Sequence, residues 1–181
     1  SYGGNSSSVA SSLTSGVTQI YSTERAFAAV KTDGSVVTWG YSSYGGNSSS
    51  VASSLTSGVT KIYSQKAVFA ALKSDGSVVT WGSNSTGGDS SSVASSLTSG
   101  VTQIYSNQRA FAALKTDGTV VTWGYRDFGD SSSVASSLTD VISITPAVTA
   151  FAALKSDGTV VTWGKDISEI DYQNYDQSVA L

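Results

Sequence analysis

Carboxylates recur at four equivalent places and are the first residues whose type and spacing could do chemistry. Each is followed by glycine, and they are Asp33, Asp75, Asp117 and Asp157. A calcium ion takes about six to eight oxygen ligands, so one carboxylate per turn is too few, and Asp-Gly is a strong hairpin signal. A second set in Gly/Ser-rich loops comprises Asn5, Asn47, Asp89 and Asp130. These loops also lack the carboxylate density of a calcium site, so we expect no metal and no cofactor.

Other reactive residue types are absent or lack partners. The chain contains no Cys and no His, so its many serines have no imidazole to serve as a base. Four equivalent lysines are expected to be solvated strand ends: Lys31, Lys73, Lys115 and Lys155. Four tryptophans could stack on sugars, but their fixed place at the end of an apolar segment favours the core. The sequence therefore predicts a protein that is not an enzyme.

Charge and hydropathy argue against two further classes of function. The 181 residues carry a net charge of −3 and no run of Lys or Arg, which argues against nucleic-acid binding. No apolar run is long enough to predict a membrane span. The first residue is Ser1 rather than Met, so we expect a processed, excised or engineered piece of a longer chain.

Internal repetition organises the chain. The tryptophans Trp39, Trp81, Trp123 and Trp163 are 42, 42 and 40 residues apart. One consistent division predicts a single repeat domain over 1–166, cut at 1–42, 43–84, 85–126 and 127–166. Residues 167–181 form a tail that resembles the degenerate start of a fifth repeat or a cap.

Each repeat predicts three strands, illustrated by the third. Strands are expected at 101–106, 110–116 and 119–123, with a type I′ turn at Asp117-Gly118. The second strand is apolar on both faces, which predicts a sheet covered on both sides and an all-β stack of antiparallel units. Residues 90–100 favour a short helix with a Ser cap over a fourth, outer strand.

These motifs resemble the repeats of the regulator of chromosome condensation family. The resemblance rests on Val101, Ile104, Ala113-Leu114, Asp117-Gly118 and Trp123-Gly124. It implies β-propeller blades, usually seven, against four repeats here. A closed four-bladed ring, an open stack and a half-ring that dimerises or polymerises therefore all stay open. The family's nucleotide-exchange and chromatin-binding residues do not map onto this chain, so the resemblance implies the fold and not the activity.

The repeats differ from one another in two segments. One is the link between the first and second strands: 23–25, 65–67, 107–109 and 147–149. The other follows Trp-Gly: 41–44, 83–86, 125–128 and 165–168. In an antiparallel unit both fall on one edge, which we call the variable rim, and the Asp-Gly turns fall on the opposite edge. A rim on a rigid scaffold is a typical binding surface, although drift on a solvent-facing edge explains the variation equally well. The candidate binding residues are Arg25, Tyr41, Tyr44, Lys66, Arg109, Tyr125, Arg126 and Phe128.

Two functions remain open from the sequence. Low charge, missing Cys, His and Met, and near-identical Ser-rich repeats favour a structural or adhesive module of an extracellular or cell-surface protein, able to form filaments. Its partner is then another copy, or a surface protein or carbohydrate. The alternative is a propeller-type binding module that takes carbohydrate or protein on the variable rim. Nucleotide exchange or chromatin binding is disfavoured by the acidic composition.

Overall fold

The computed structural model describes residues 4–165 and contains four antiparallel sheets of three strands each, which we call blades. Blade 1 has β1 (Val17–Ser22), β2 (Ala26–Lys31) and β3 (Val36–Gly40); blade 2 has β4 (Val59–Gln65), β5 (Val68–Lys73) and β6 (Val78–Gly82); blade 3 has β7 (Val101–Ser106), β8 (Ala110–Lys115) and β9 (Val120–Gly124); blade 4 has β10 (Val141–Pro146), β11 (Ala150–Lys155) and β12 (Val160–Gly164). The second strand is central in every blade, with the first and third strands at its sides. The predicted all-β repeat architecture is confirmed.

The turn between the second and third strands corrects one prediction. A type I′ turn needs positive φ at both central residues, yet only the glycine of each pair has it, as at Gly118 (φ 76°). The N–H of Gly118 donates to the carbonyl of Lys115 (3.0 Å), and the N–H of Lys115 donates to that of Thr119 (3.0 Å). The loop is therefore a three-residue hairpin with glycine in the left-handed conformation, and Asp117 keeps an ordinary backbone.

A short helix, rather than a fourth strand, precedes each blade, as predicted. These are 3₁₀ helices at Ser7–Leu13, Ser49–Leu55, Ser91–Leu97 and Ser132–Ser137. The predicted serine cap is wrong, because Ser90 makes no capping hydrogen bond through its side chain. The preceding Asp89 does this instead: its Oδ1 accepts from the N–H of Ser91 at 2.9 Å. All four helices lie against the third strand of their own blade, and Leu55 and Leu97 bury their side chains in the core.

The central strands are apolar on both faces, and in the interior blades 2 and 3 each of these faces is covered by a neighbouring blade. In β8 every residue from Ala110 to Leu114 is buried. Alternate side chains meet different neighbours: Phe111 and Ala113 pack towards blade 2, and Ala110, Ala112 and Leu114 towards blade 4. Alanine at the crossing points lets two sheets approach closely.

Aromatic pairs anchor each blade at its rim end. Phe111 lies directly opposite Trp123 in the strand register, and their rings stack at 5.2 Å. The same pair recurs in the other blades at 5.2–5.3 Å. The core role predicted for tryptophan is confirmed for Trp81, Trp123 and Trp163, which are buried, whereas Trp39 on blade 1 is half-buried.

The four blades form an open row and not a closed ring. Three hydrophobic clusters lie between successive blades, joining blade 1 to 2, 2 to 3 and 3 to 4. The outer faces of blades 1 and 4 leave Ile20, Leu154 and Val160 exposed. The closed four-bladed alternative is therefore not adopted, and the tail at 167–181 lies outside the described residues. Among residues 4–165 no helix is long and apolar enough to cross a membrane.

Candidate binding rim

The two variable segments meet on one edge of blades 1, 2 and 3, as the sequence predicts, and Lys165 of blade 4 lies likewise, whereas 166–168 lie outside the described residues. The residue after each third strand donates its N–H to the last residue of the link in the same blade. These bonds join Tyr41 to Arg25 (2.9 Å), Ser83 to Ala67 (3.0 Å), Tyr125 to Arg109 (2.8 Å) and Lys165 to Thr149 (3.0 Å). The Asp-Gly turns lie at the opposite edge because the strands are antiparallel.

The first residue of the link has a structural role that the sequence comparison missed. Asn107 donates from Nδ2 to the carbonyl of Phe128 at 2.8 Å and accepts at Oδ1 from the N–H of Ala110 at 2.8 Å. Thr23 reaches the carbonyl of Tyr44 at 2.9 Å, and Gln65 reaches that of Thr86. In these three blades the first residue of the link has an amide or hydroxyl side chain and lies 21 residues before the loop carbonyl that it binds. That residue type at that spacing is the sequence signal that could have identified the hydrogen bond. These bonds fix the post-Trp-Gly loop on its link, so the rim side chains project from ordered backbone.

Blade 1 carries an arginine over a tyrosine ring that a second tyrosine meets edge to face, and we call these three residues the first Arg-aromatic cluster. The guanidinium carbon of Arg25 lies 5.0 Å from the ring centre of Tyr44. Tyr41 meets Tyr44 edge to face, with 5.6 Å between ring centres. Tyr41 is about half exposed, so the cluster offers an aromatic surface to solvent.

Blade 3 repeats this arrangement as the second Arg-aromatic cluster. The guanidinium carbon of Arg109 lies 5.5 Å from the ring centre of Tyr125 and 5.7 Å from that of Phe128. Tyr125 and Phe128 pack edge to face at 5.6 Å. Phe128 belongs to α1 (Arg126–Gly129), a single helical turn after β9, where blades 1 and 2 have the 3₁₀ turns Ser42–Tyr44 and Asn84–Thr86.

A shallow cleft of about 300 Å³ opens between the two clusters, on the rim of blade 2. It brings together three of the predicted residues, Tyr44, Lys66 and Arg109. Its other lining residues are small or hydroxylated: Ser43, Ala67, Ser83, Ser85 and Thr86. Lys66 also lies 3.7 Å from Glu24 of blade 1, with both side chains about half exposed, so this ion pair is weak. The cleft lining is thus cationic and contains no carboxylate.

Arg126 does not join the cleft. Its side chain is 88% exposed, and its Nε lies 3.5 Å from Asp130 on the outside of α1. The predicted set therefore divides into two Arg-aromatic clusters, a cleft lysine and an outlying arginine.

The repeated carboxylates serve turns, as predicted. Asp117 accepts hydrogen bonds at Oδ1 from the hydroxyl of Thr119 (2.6 Å) and its N–H (3.0 Å). The hydroxyl bond, followed by the backbone bond, lowers the pKa of Asp117 below the ordinary carboxyl value. Asp33, Asp75 and Asp157 are arranged alike. Within residues 4–165, no three His, Cys, Asp or Glu side chains lie close enough to hold a metal ion.

A larger crevice of about 370 Å³ lies on the opposite edge, between blades 1 and 2. It is lined by the turn at Asp33-Gly34, by Lys31 and by Gly58 and Val59 of the next blade. These are mostly residues that the repeats share, and they make the backbone contacts between blades. The variable residues gather at the smaller rim cleft, which is therefore the stronger candidate for recognition.

Comparison with solved structures identifies β-propellers. Human WBSCR16 matches with a TM-score of 0.54 and 21% identity over 83% of this chain and 48% of its own. The CRINKLY WD40 ectodomain of the Arabidopsis thaliana receptor kinase ACR4 matches with a TM-score of 0.52 and 15% identity over 82% and 52%. Prp20p of Saccharomyces cerevisiae, the yeast RCC1, has a TM-score of 0.53 and 14% identity over 82% and 45%.

The chain spans about half the length of these structures. No family model matches it, and no curated protein matches it in sequence. At identities this low the likeness shows the fold alone. The chain is a row of four propeller-like blades, with RCC1-type β-propellers among its structural neighbours.

Proposed function

We propose that this chain is a non-catalytic adhesive module of an extracellular or cell-surface protein and that it binds a protein or carbohydrate on the variable rim. The observation that carries the proposal is the cleft on blade 2, flanked by two matching Arg-aromatic clusters and lined by Lys66 and Arg109. The clusters occupy the same place on blades 1 and 3, so they form a spaced pair on a rigid scaffold.

The side chains of the rim suit a ligand that is both flat or apolar and negatively charged. Exposed faces of Tyr41 and Tyr125 can stack on a sugar ring or cover an aliphatic side chain. Lys66, whose exposed ion pair with Glu24 is weak, and Arg109 attract an anionic group into the cleft. An acidic peptide or an acidic glycan meets both requirements.

Three observations support a binding role and not a catalytic one. The chain has no His or Cys for acid–base or nucleophilic work. Its repeated carboxylates are engaged in turns on the edge opposite the cleft. Among the structural neighbours, Prp20p was crystallised in a study of its binding to Gsp1p and histones, and ACR4 contributes a receptor ectodomain.

The ligand is sought with two probes, a glycan array that contains neutral and acidic sugars and a displayed library of acidic and neutral peptides. Arg109→Ala and Tyr125→Ala are expected to weaken any hit at least about tenfold, since each removes one side of a cation–π contact. Lys155→Ala, which removes a cation at the opposite edge, is the matched control and is expected to leave binding unchanged. A ligand whose affinity survives Tyr125→Ala together with Phe128→Ala would overturn the rim assignment.

The location is tested on the source cells. An antibody raised against the chain is expected to label intact cells, and brief protease treatment of those cells is expected to remove the label. Labelling that appears only after permeabilisation contradicts the extracellular assignment and leaves the binding experiment to stand separately.

The same module gains a structural role if copies assemble into filaments. The open row favours this, because the apolar faces at its two ends include exposed residues, Ile20 on blade 1 and Leu154 on blade 4. Electron microscopy of the purified chain is expected to show extended polymers, whereas uniform discrete rings would exclude filaments.

A further inference from the structure

Blades 1 and 4 each have one sheet face on which no other blade packs, which we call a bare face, whereas both faces of the interior blades are covered by neighbours. Ile20 on blade 1 is 60% exposed, whereas Ile104 at the same position of blade 3 is 1% exposed. Leu154 on blade 4 is 39% exposed, whereas Leu114 at the same position of blade 3 is 8% exposed. The bare faces lie at opposite ends of the row and differ from each other in composition.

The two bare faces are the two halves of one interface that the chain already makes three times. Between blades 3 and 4, the first half is Ala110, Ala112 and Leu114. The second half is a set from the following blade: Leu138, Val141, Ile144, Phe151, Ala153 and Trp163. Blade 4 presents the first half again as Ala150, Ala152 and Leu154. Blade 1 presents the second half again as Leu13, Val17, Ile20, Phe27, Ala29 and Trp39. Ile20 is the exposed member of this set, Ala29 is buried and the other four are half-buried.

The polar contacts of the internal interface also have equivalents at the two ends. The carbonyl of the turn glycine accepts from the N–H of the first valine of the next blade at 3.0 Å, as in Gly118 to Val141. The equivalent acceptor at the end of the row is Gly158, and the equivalent donor at its start is Val17. A Cβ on Gly118 would lie 3.1 Å from Asp140, whereas one on Gly158 meets no described atom within 4 Å.

We propose that a second copy of this chain docks head to tail, with its blade 1 on blade 4 of the first copy. The contact continues the internal blade-to-blade packing across two molecules. It is less complete than the interior contacts, because Thr145 stands where Tyr63 and Tyr105 pack against the internal clusters. Such a heterologous contact closes into a ring if the rotation allows and otherwise grows into a filament. Head-to-tail docking rests on the structural role proposed above and uses no rim side chain, so it can fail while rim binding stands.

The test uses the full chain and two variants that each damage one end. Ile20→Asp places a charge on the blade 1 face, and Leu154→Asp places one on the blade 4 face. Both positions are exposed in the single chain, so each variant is expected to fold. Gln103→Asp adds the same charge to an exposed strand residue of the interior blade 3 and serves as the control.

Sedimentation velocity and light scattering give the masses. The unchanged chain and Gln103→Asp are expected to exceed the 18.5 kDa of one chain as concentration rises. Each end variant alone is expected to stay at one chain. Mixed in equal amounts, the end variants are expected to form a one-to-one dimer and nothing larger, because only one undamaged pair of faces remains. That mixture distinguishes a polar head-to-tail contact from a symmetric one.

Gly158→Ala provides a second, milder variant. Its added Cβ touches no described atom of its own chain but would meet the start of blade 1 in the docked copy, as a Cβ on Gly118 would meet Asp140. We expect at least about tenfold weaker association, measured by the same method, with the circular dichroism spectrum unchanged.

Four results would overturn the proposal. The unchanged chain could remain at 18.5 kDa at all concentrations, or both end variants could still associate alone. The mixture could fail to dimerise although the unchanged chain associates. Finally, removal of residues 166–181 could turn a monomeric chain into an oligomer, which would assign an end face to the tail of the same chain.

Discussion

At the scale of single residues, the rim combines side chains that hold the backbone with side chains that face outward. Asn107 is buried and ties the link to the loop, whereas Arg109 and Tyr125 lie over each other at the surface. Sequence comparison places all three in variable segments and does not separate these roles. The separation appears only when the partner of each polar atom is known.

Asn107→Ala should destabilise the fold without any loss of rim aromatic groups. It leaves the carbonyl of Phe128 and the N–H of Ala110 without the partners that Asn107 supplies, which costs about 1–3 kcal/mol. Urea denaturation followed by circular dichroism measures the change. Gln103→Ala, at an exposed strand position, is the control and should stay within about 0.5 kcal/mol. Equal stability of both variants would show that the tie is not needed.

At the scale of elements, the hairpin turn is also a contact between blades. Gly76 has φ of 76°, and a Cβ there would lie 2.7 Å from the N of Gly100 in the next blade. Gly158 has nearly the same backbone, at 85°, but no described neighbour within 4 Å. In blades 1, 2 and 3, each of which is followed by another blade, the turn position therefore requires glycine for two reasons: its positive φ and the close approach of the next blade.

Alanine at these two glycines separates the two requirements. Gly158→Ala should cost only the left-handed strain of a non-glycine residue, about 1–2 kcal/mol. Gly76→Ala should cost that strain and a further loss, because the following blade must move away. Thermal and urea unfolding of the two variants, at concentrations where the chain is monomeric, measure the difference. A difference near zero would mean that the blades adjust freely at their turns.

At the scale of the whole molecule, position in the row decides what a residue contributes. Four blades of similar sequence give each interior blade two neighbours and each end blade one. Stability in such a row is a sum of blade terms and nearest-neighbour interfaces. The same substitution should therefore have different effects in different blades.

Isoleucine at the second core position of the first strand tests this directly. Ile104→Ala removes a side chain buried between blades 2 and 3 and should cost about 2–5 kcal/mol. Ile20→Ala removes the equivalent exposed side chain and should change the free energy of unfolding little in the dilute chain. Urea denaturation at low protein concentration measures both. Similar costs would indicate that the blade 1 face is covered in solution.

Local features of this protein are determined by the sequence alone. β-Branched runs, the Asp-Gly pairs and the tryptophan spacing predict the strands, their antiparallel order and the shared edge of the variable segments, because all of these depend on neighbours in the chain. The turn type and the serine cap are wrong predictions at this scale. A one-residue difference in the hairpin loop and a competing Asp89 carboxylate changed the local hydrogen bonds.

Only the tertiary structure decided how the blades are arranged. Ile20 and Ile104 occupy equivalent sequence positions, yet one is exposed and the other is buried. Whether the first blade meets the fourth depends on the rotation between successive sheets, and no local sequence pattern encodes that rotation. The cleft lined by Tyr44, Lys66 and Arg109 is formed by residues of three blades, so it too depends on how the blades pack together. The rim could therefore be predicted as an edge, but its division into two Arg-aromatic clusters and a cationic cleft, and the bare faces at the ends of the row, required the packed molecule.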